Sequence, residues 1–168
     1  MSDRILPPHH FELIKANHHV SAFECELHYL TMYLRTTALD EHQKNIMRTY
    51  ICIDEAARRE KAVIGYFSLR GSAFKLGDES IPVIEIAFLA RDVKRKPEKW
   101  GDKLLVEALR MCAESAHRVG AIGVQLEYST AQNDRAYELY TEFGFIGHPT
   151  LDSKKYLYMP TSALPPAG

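Results

Sequence analysis

A tyrosine in the last quarter of the chain, a residue whose hydroxyl can donate or accept a hydrogen bond, lies within a segment that has the signals of a short helix. Tyr140 lies between Asn133, a residue type that caps helix N-termini, and Gly144, a residue type that ends helices. Apolar residues recur between them at helical spacing, at Ala136, Leu139 and Phe143. This periodicity predicts a helix with Tyr140 at the edge of its packed face. The alternative is that Tyr137 and Tyr140 only pack against the core.

A second cluster of side chains has the charge to bind anions. Residues 91–103 hold six Lys or Arg against three acidic residues, a local charge of +3 in a chain of net charge -1. The cations are Arg91, Lys94, Arg95, Lys96, Lys99 and Lys103. Such side chains hold phosphates through charge-assisted hydrogen bonds. The alternative is a solvated basic loop that binds nothing.

One carboxylate interrupts the most apolar segment. Glu85 lies within residues 83–90, a run typical of a central strand. It could act as a general base, directly or through a water that it holds. A structural glutamate that pairs with a group on a neighbouring strand is the favoured alternative, because a buried carboxylate needs a partner.

Length and composition predict one ordinary globular domain. The chain has 168 residues, 46% hydrophobic and 26% charged. We expect the domain to span residues 1–160, with a flexible Pro/Ala/Gly-rich tail at 161–168. No apolar run reaches the roughly 20 residues of a membrane span, and residues 1–10 lack the apolar core of a signal peptide. These features predict a cytoplasmic protein without a membrane partner.

Cysteine and histidine spacing gives no metal or disulfide pattern. Cys25, Cys52 and Cys112 are far apart, odd in number and outside any Cys-x-x-Cys spacing, so we expect buried thiols. The eight histidines include no His-Glu-x-x-His motif, and we expect no metal site.

Hydrophobic periodicity predicts the order of elements. Strands are predicted near 11–15 and at 48–54, 62–69, 83–90, 122–128 and 155–159, and helices at 26–47 with a break near Asp40, at 100–119, and around Tyr140. The strands at 48–54 and 62–69 are expected to form a hairpin. Gly65 interrupts the second of them, which indicates a bulge or a close backbone approach.

The helix around Tyr140 also carries a family pattern. Asn133, Ala136, Tyr140, Gly144 and Phe145 fill every fixed position of Asn-x-x-Ala-x-x-x-Tyr-x-x-x-Gly-Phe, which resembles the last conserved block of the GCN5-related N-acetyltransferases (GNAT family). The resemblance implies an α/β (α+β) fold, with a mixed central sheet whose two central strands splay, flanked by about four helices. It also implies acetyl-CoA as cosubstrate, with Tyr140 protonating the departing thiolate.

The cofactor loop of that family is altered here. It reads Gln/Arg-x-x-Gly-x-Gly/Ala, and residues 96–101 occupy it with Lys99 in place of the first glycine and Pro97 lacking an amide. We therefore expect lysine side chains to replace lost amides. The resemblance assigns cofactor binding to Leu89, Ala90, Arg91, Lys96, Lys99, Trp100, Gly101, Asp102, Asn133 and Tyr137.

The front half resembles the acetyltransferase toxins of toxin–antitoxin pairs. The residues that carry this resemblance are His18 or His19 before Phe23 and Cys25, then Tyr33-Leu34-Arg35, then Gly65-Tyr66-Phe67-Ser68-Leu69. The similarity spans roughly residues 10–160. It implies acetylation of the α-amino group of aminoacyl-tRNA, which stops translation. The basic residues at 91–103, together with Arg35, Lys44 and Arg48, would hold the tRNA. Because these contacts are to phosphates, the affinity for tRNA would fall as the salt concentration rises.

Two other functions are compatible with the same residues. One is acetylation of a small amine or of a protein amino group, and the other is a catalytically silent GNAT-like binding module. The toxin resemblance further implies a small DNA-binding antitoxin as a partner. Dimers are common among the similar families, so a homodimer is also expected.

Overall fold

The computed structural model describes residues 5–128 and 134–166, which form seven strands and four α-helices. The strands are β1 (His9–Leu13), β2 (Arg48–Asp54), β3 (Val63–Leu76), β4 (Glu79–Arg91), β5 (Gly123–Glu127), β6 (Ile146–Gly147) and β7 (Tyr156–Pro160). The helices are α1 (His28–Thr36), α2 (Ala38–Gln43), α3 (Trp100–Val119) and α4 (Asp134–Glu142). None of the helices in these ranges has both the length and the apolar character needed to cross a bilayer.

The strands form one mixed sheet in the order β1-β2-β3-β4-β5-β7-β6. Strands β4 and β5 are parallel, whereas the β1–β2, β5–β7 and β6–β7 pairs are antiparallel. The β4–β5 pairing covers only residues 83–86 against 123–126, although β4 continues to Arg91. The two central strands therefore start side by side and stop pairing halfway, as predicted.

Most predicted elements are confirmed, two of them with their bounds. Strand β2 and helix α3 begin and end where the sequence predicted, whereas the helical break falls at Thr37 instead of near Asp40. Strand β3 extends to Leu76 and joins β4 through a turn at Gly77, whose φ is 61°. That longer strand and the two-residue β6 were not predicted.

The chain groups into two compact units, the first comprising the described residues 5–68 and 88–105. Its buried cluster consists of Ile14, Phe23, Cys25, Leu30, Leu34, Ala38, Ile51, Val63, Tyr66 and Ala90. Residues of the toxin-like motif form this core and its hydrogen bonds. Arg35 Nε donates to Phe23 O (2.9 Å), and Cys25 N donates to Thr31 Oγ1 (2.9 Å). The motif therefore ties the segment before α1 to α1 itself.

The second unit comprises the described residues 69–87, 106–128 and 134–166. Its interior includes Val124, Leu126, Leu157 and Met159 on the neighbouring strands β5 and β7. After β7, Thr161 donates its amide to Ile122 O (2.8 Å) and its hydroxyl to Ala121 O (2.8 Å). The single domain at 1–160 and the flexible tail at 161–168 remain predictions.

Cysteine chemistry is limited by burial. Cys25, Cys52 and Cys112 are free and buried, as predicted. Burial raises the pKa of the Cys112 thiol to about 12, which keeps it protonated at neutral pH.

Gly65 allows β3 to approach β4 closely, which confirms the second of the two interpretations of this glycine. A Cβ at position 65 would lie 2.6 Å from Ala90 O and 2.8 Å from Leu104 Cδ1. Both distances are shorter than van der Waals contact, and the first involves backbone that cannot rotate away. The absence of a side chain at residue 65 therefore permits the end of β4 to lie this close to β3.

We predict that Gly65→Ala lowers the free energy of unfolding by about 1–3 kcal/mol, since the added methyl must push β4 or Leu104 aside. Gly71→Ala, also on β3, is the matched control because a Cβ there has no atom within 4 Å. Urea unfolding of both variants measures the difference. Equal midpoints for the two variants would contradict the close approach.

Candidate active site

The end of β4 presents main-chain groups with no partner in β5. Asp92 N donates to Ile64 O of β3 (2.8 Å), so Ala90, two residues earlier, faces β3 as well. The intervening residues Leu89 and Arg91 turn their N–H and C=O groups to the opposite edge. Pairing with β5 ends at residue 86 within the described ranges. These main chains can accept an extended ligand, as the family resemblance implies, and their cofactor role remains a prediction.

The loop after β4 is pinned by the buried carboxylate of Asp92. Asp92 caps a short 3-10 turn, Val93–Arg95, by accepting from Lys94 N (2.8 Å). It also accepts from Glu24 N (3.3 Å) and from Lys94 Nζ (2.9 Å). Because the side chain is 3% exposed, these donors replace the water that the charge would otherwise need.

A second set of contacts holds the loop to the start of α3. Arg95 Nη2 lies 2.7 Å from Asp54 Oδ2, and Arg95 Nη1 lies 4.0 Å from Glu98 Oε2. The indole N–H of Trp100 donates to Glu98, and the ring of His9 packs edge-on against that of Trp100 (4.8 Å). Burial opposes ionisation of Asp54, but its bonds from Ala56 N and Arg95 outweigh this and lower its pKa.

Four of the six cations lie in the loop itself, at Lys94, Arg95, Lys96 and Lys99, and they differ in their surroundings. Lys94 and Arg95 bind Asp92 and Asp54 and serve the loop's own structure. Lys96 Nζ lies 3.1 Å from a carboxylate oxygen of Glu26, and more than half of its side chain is exposed. Lys99 is exposed and has no ion-pair partner within residues 5–128 and 134–166. Lys96 and Lys99 are thus the two cations of this loop that an incoming phosphate could reach at low cost.

The N-terminus of α3 adds amide donors beside these cations. Helix α3 begins at Trp100, so the first-turn amides of Trp100, Gly101 and Asp102 have no carbonyl partner in their own helix. Trp100 is buried as a whole residue, whereas Gly101 is partly exposed and Asp102 is exposed, so the amides within reach of a ligand are those of Gly101 and Asp102. Asn45 is the one non-glycine residue with positive φ in the described ranges, so Lys99 has an ordinary backbone conformation. Cations and amides together fit a pyrophosphate, although binding by these residues remains a prediction.

Tyr140 lies in the last turn of α4, whose C-terminus is closed by Gly144. Phe145 N donates to Tyr140 O (3.1 Å) and Gly144 N donates to Thr141 O (3.0 Å), the two bonds of a Schellman motif. Gly144 has φ 102°, as expected of a residue that ends a helix. The Tyr140 ring is half-buried and meets buried Phe145 edge-on at 5.9 Å. The helix end therefore fixes the tyrosine's backbone, and its catalytic role remains a prediction.

The resemblance also predicts cofactor roles for Tyr137 and Asn133, which the structure does not test. Tyr137 is exposed, and its ring lies 5.3 Å from that of Tyr128. Asn133 and its predicted capping and cofactor roles lie outside the described residues.

Glu85 has the partners of a structural residue. Its carboxylate binds Arg70 Nε of the neighbouring strand β3, and Gln125 Nε2 of β5 donates to it at 3.3 Å. Glu85 and Gln125 are directly paired in the sheet. This is the pairing that the sequence analysis favoured. The role of general base stays a prediction, with the added cost of breaking these bonds.

His148 was not singled out from the sequence. Its Nε2 lies 3.0 Å from Gln125 Oε1, and its Nδ1 accepts from Thr150 N (3.2 Å) and Leu151 N (3.0 Å). Two amide donors require Nδ1 to be unprotonated, so Nε2 carries the hydrogen and the ring is neutral. The sequence signal was weak, a single histidine directly after β6. No group of three potential metal ligands occurs in the ranges that the structure describes.

No protein-family model matches the chain. A probable toxin TacT of Sinorhizobium fredii is 24% identical over 160 residues, which cover 86% of this chain and 87% of the relative. A tRNA-acetylating toxin of Mycobacterium tuberculosis is 27% identical over 128 residues, 70% of this chain and 72% of the relative.

Solved structures resemble the chain over nearly its whole length. A Tyr-to-Phe mutant of the toxin AtaT, bound to the C-terminus of the antitoxin AtaR and to acetyl-CoA, matches with a TM-score of 0.80 at 26% identity, covering 92% of this chain and 94% of that one. The mixed seven-stranded sheet with four helices is thus the GNAT fold. The resemblance to acetyltransferase toxins is confirmed.

The buried histidine predicts a pH-dependent stability. Burial lowers the pKa of His148 below its ordinary 6.5, so near that pH the unfolded chain binds a proton that the folded chain excludes. The contribution of His148 to the free energy of unfolding is therefore fully present above pH 6.5. It is lost as the pH drops below that value, by at most about 1.4 kcal/mol per pH unit.

Urea unfolding between pH 5 and 8 measures this slope. His42, whose pKa burial also lowers, contributes in every variant, so the comparison is between slopes. His148→Gln should flatten the decline, whereas His117→Gln, at an exposed position of α3, should leave it unchanged. Identical slopes in all three proteins would show that His148 does not titrate differently on folding.

Proposed function

We propose that this chain, which has the fold of the GCN5-related N-acetyltransferases and resembles their toxins, transfers the acetyl group of acetyl-CoA to the α-amino group of aminoacyl-tRNA. The structural observation that supports acetyl transfer is the early end of β4–β5 pairing, beyond which the Leu89 and Arg91 main chains lack a β5 partner. The acceptor is proposed from the relative named a tRNA-acetylating toxin. Acetylation of that amine would block translation.

The phosphates of acetyl-CoA would be held where the loop meets α3. Lys99 and Lys96 offer side-chain charge, and the first-turn amides of Gly101 and Asp102 offer N–H groups at the positive end of the helix dipole. When bound, acetyl-CoA supplies the reactive thioester. Side-chain charge here takes over part of what glycine amides do in the family's usual loop.

The reaction requires few proton-transfer groups from the protein. An α-amine has a pKa near 8, so a useful fraction is neutral at pH 7 and can attack the thioester carbon without a strong base. The new C–N bond forms as the C–S bond breaks, and Tyr140 gives its hydroxyl proton to the sulfur. The proton that the nitrogen loses passes to water, and water restores the tyrosine hydroxyl. Glu85 is not needed, which agrees with its bonds to Arg70 and Gln125.

The partners follow from the same proposal. Exposed Arg48 in the first unit, together with Lys96 and Lys99, offers positive charge for tRNA phosphates. A small DNA-binding antitoxin is proposed because the AtaT structure contains the C-terminus of the antitoxin AtaR. A cytoplasmic location is proposed because acetyl-CoA and charged tRNA meet there, and a homodimer remains a further proposal.

A direct test incubates the purified protein with labelled acetyl-CoA and charged tRNA and detects acetylated aminoacyl-tRNA. Tyr140→Phe is the matched variant, because it removes one hydroxyl and keeps the ring that packs on Phe145. We expect its turnover to be roughly 10²- to 10³-fold lower, with nearly unchanged acetyl-CoA affinity and stability. A fully active variant would rule out Tyr140 as the proton donor. Labelling of free amines or proteins, but not of tRNA, would instead indicate the small-amine or protein acetyltransferase.

We predict that Lys99→Ala weakens acetyl-CoA binding by roughly 10- to 100-fold at low salt, the usual loss for a hydrogen bond to a charged group. The loss should shrink as salt screens the exposed charge. Lys99→Gly should behave alike, because Lys99 has no positive φ that a glycine would relieve. Calorimetry measures both, with Lys75→Ala at an exposed site on β3 as the control for charge. Tighter binding by Lys99→Gly would mark the lysine as an obstruction and favour the silent module.

A further inference from the structure

The cofactor loop is joined to the segment that precedes α1. Val93 N donates to Glu24 O (2.8 Å), and Glu24 N donates to the Asp92 carboxylate (3.3 Å). Lys94 Nζ donates to Ala22 O (3.3 Å). These contacts place residues 22–26 alongside the loop that carries the phosphate-binding cations.

Glu26, at the end of this segment, binds two of the loop's cations through one carboxylate oxygen. Its Oε1 lies 3.1 Å from Lys96 Nζ and 3.7 Å from Arg91 Nη2. Arg91 Nη1 also donates to Lys96 O (3.0 Å), which keeps the two cations together. A single anionic oxygen between a lysine and an arginine is the arrangement that a phosphate oxygen would adopt at this place.

The ion pair between Glu26 and Lys96 is open to exchange. The side chains of Glu26 and Lys96 are 45% and 57% exposed, so water and salt can replace either partner. The buried pair of Arg95 with Asp54 contrasts with them, at 17% and 7% exposure. A ligand with several negative charges can thus displace Glu26 without disturbing the contacts that hold the loop in shape.

We propose that Glu26 is an internal competitor for acetyl-CoA at Lys96 and Arg91. Its carboxylate occupies these cations in the ligand-free protein, and a phosphate of acetyl-CoA takes its place on binding. The proposal rests on the proposed function, since it assumes that acetyl-CoA is the ligand. Its consequence is that the protein binds acetyl-CoA more weakly than it would without the Glu26 carboxylate.

The experiment compares Glu26→Gln with Glu24→Gln. Both replace one carboxylate by an amide in the same segment, but the Glu24 side chain is exposed and only its main chain contacts the loop. Calorimetric titration with acetyl-CoA at low salt should give roughly three- to tenfold tighter binding for Glu26→Gln. Glu24→Gln should bind like the wild type. The gain should shrink toward nothing at about 1 M salt, where screening acts within about 3 Å.

A double-mutant cycle with Lys96→Ala separates competition from general repulsion. In the wild type, losing Lys96 also removes one of the competitor's two partners, so the affinity should fall only slightly. In the Glu26→Gln protein the same change removes a phosphate contact with no compensation, and binding should weaken several-fold more. Thermal unfolding without ligand verifies that each variant is folded.

The outcomes are distinguishable. Tighter binding by Glu26→Gln than by Glu24→Gln, together with the non-additive cycle, supports the competitor. Equal affinities for wild type, Glu26→Gln and Glu24→Gln, or an additive cycle, overturn it and leave the proposed function standing. Failure of every folded variant, including the wild type, to bind acetyl-CoA overturns the proposed function and the competitor together.

Discussion

The hydrogen bonds to the buried carboxylate of Asp92 are the interactions on which the candidate cofactor loop depends. Asp92 follows β4, caps the 3-10 turn through Lys94 N and accepts from Glu24 N. A buried charge without such donors would cost several kcal/mol. The same carboxylate therefore orders the loop after β4 and the segment before α1, and places Glu26 within reach of Lys96.

The cations of that loop have two different roles. Arg95 is largely removed from water beside Asp54, where loss of one partner would leave an uncompensated charge, so this pair keeps the loop in shape. Lys96 and Lys99 are exposed, where charges exchange partners at little cost. A loop with one glycine can thus keep a fixed shape and still present charge to a phosphate.

In the second unit, the end of α4 positions Tyr140, and a chain of hydrogen-bonded side chains satisfies the buried polar groups. The bond from Phe145 N to Tyr140 O places Tyr140 at a closed helix end, which only a residue tolerant of positive φ, here Gly144, permits. The chain from Arg70 through Glu85 and Gln125 to His148 satisfies the buried polar groups of the neighbouring strands. A satisfied Glu85 agrees with a reaction whose amine needs no strong base.

Local patterns explain what could be predicted from the sequence alone. The bounds of β2 and α3 follow from their own periodicity, and the close approach at Gly65 and the helix end at Gly144 follow from residue types with few conformational roles. The motif around Tyr140 is likewise contiguous, which is why the sequence alone indicates the GNAT family. Strand β6, with two residues, is too short to have a period.

Partnerships between distant residues were decided by the tertiary structure. Arg95 meets Asp54, Lys96 meets Glu26, and His148 meets Gln125, all across long stretches of chain. The composition of the loop does not distinguish one cation from another. In the folded chain, Arg95 is largely shielded from water, whereas Lys96 and Lys99 are exposed. The sequence by itself determined which elements form and which family they resemble, because those properties are local. Which charges remain available to a ligand depends on burial and on non-local partners, which only the folded chain supplies.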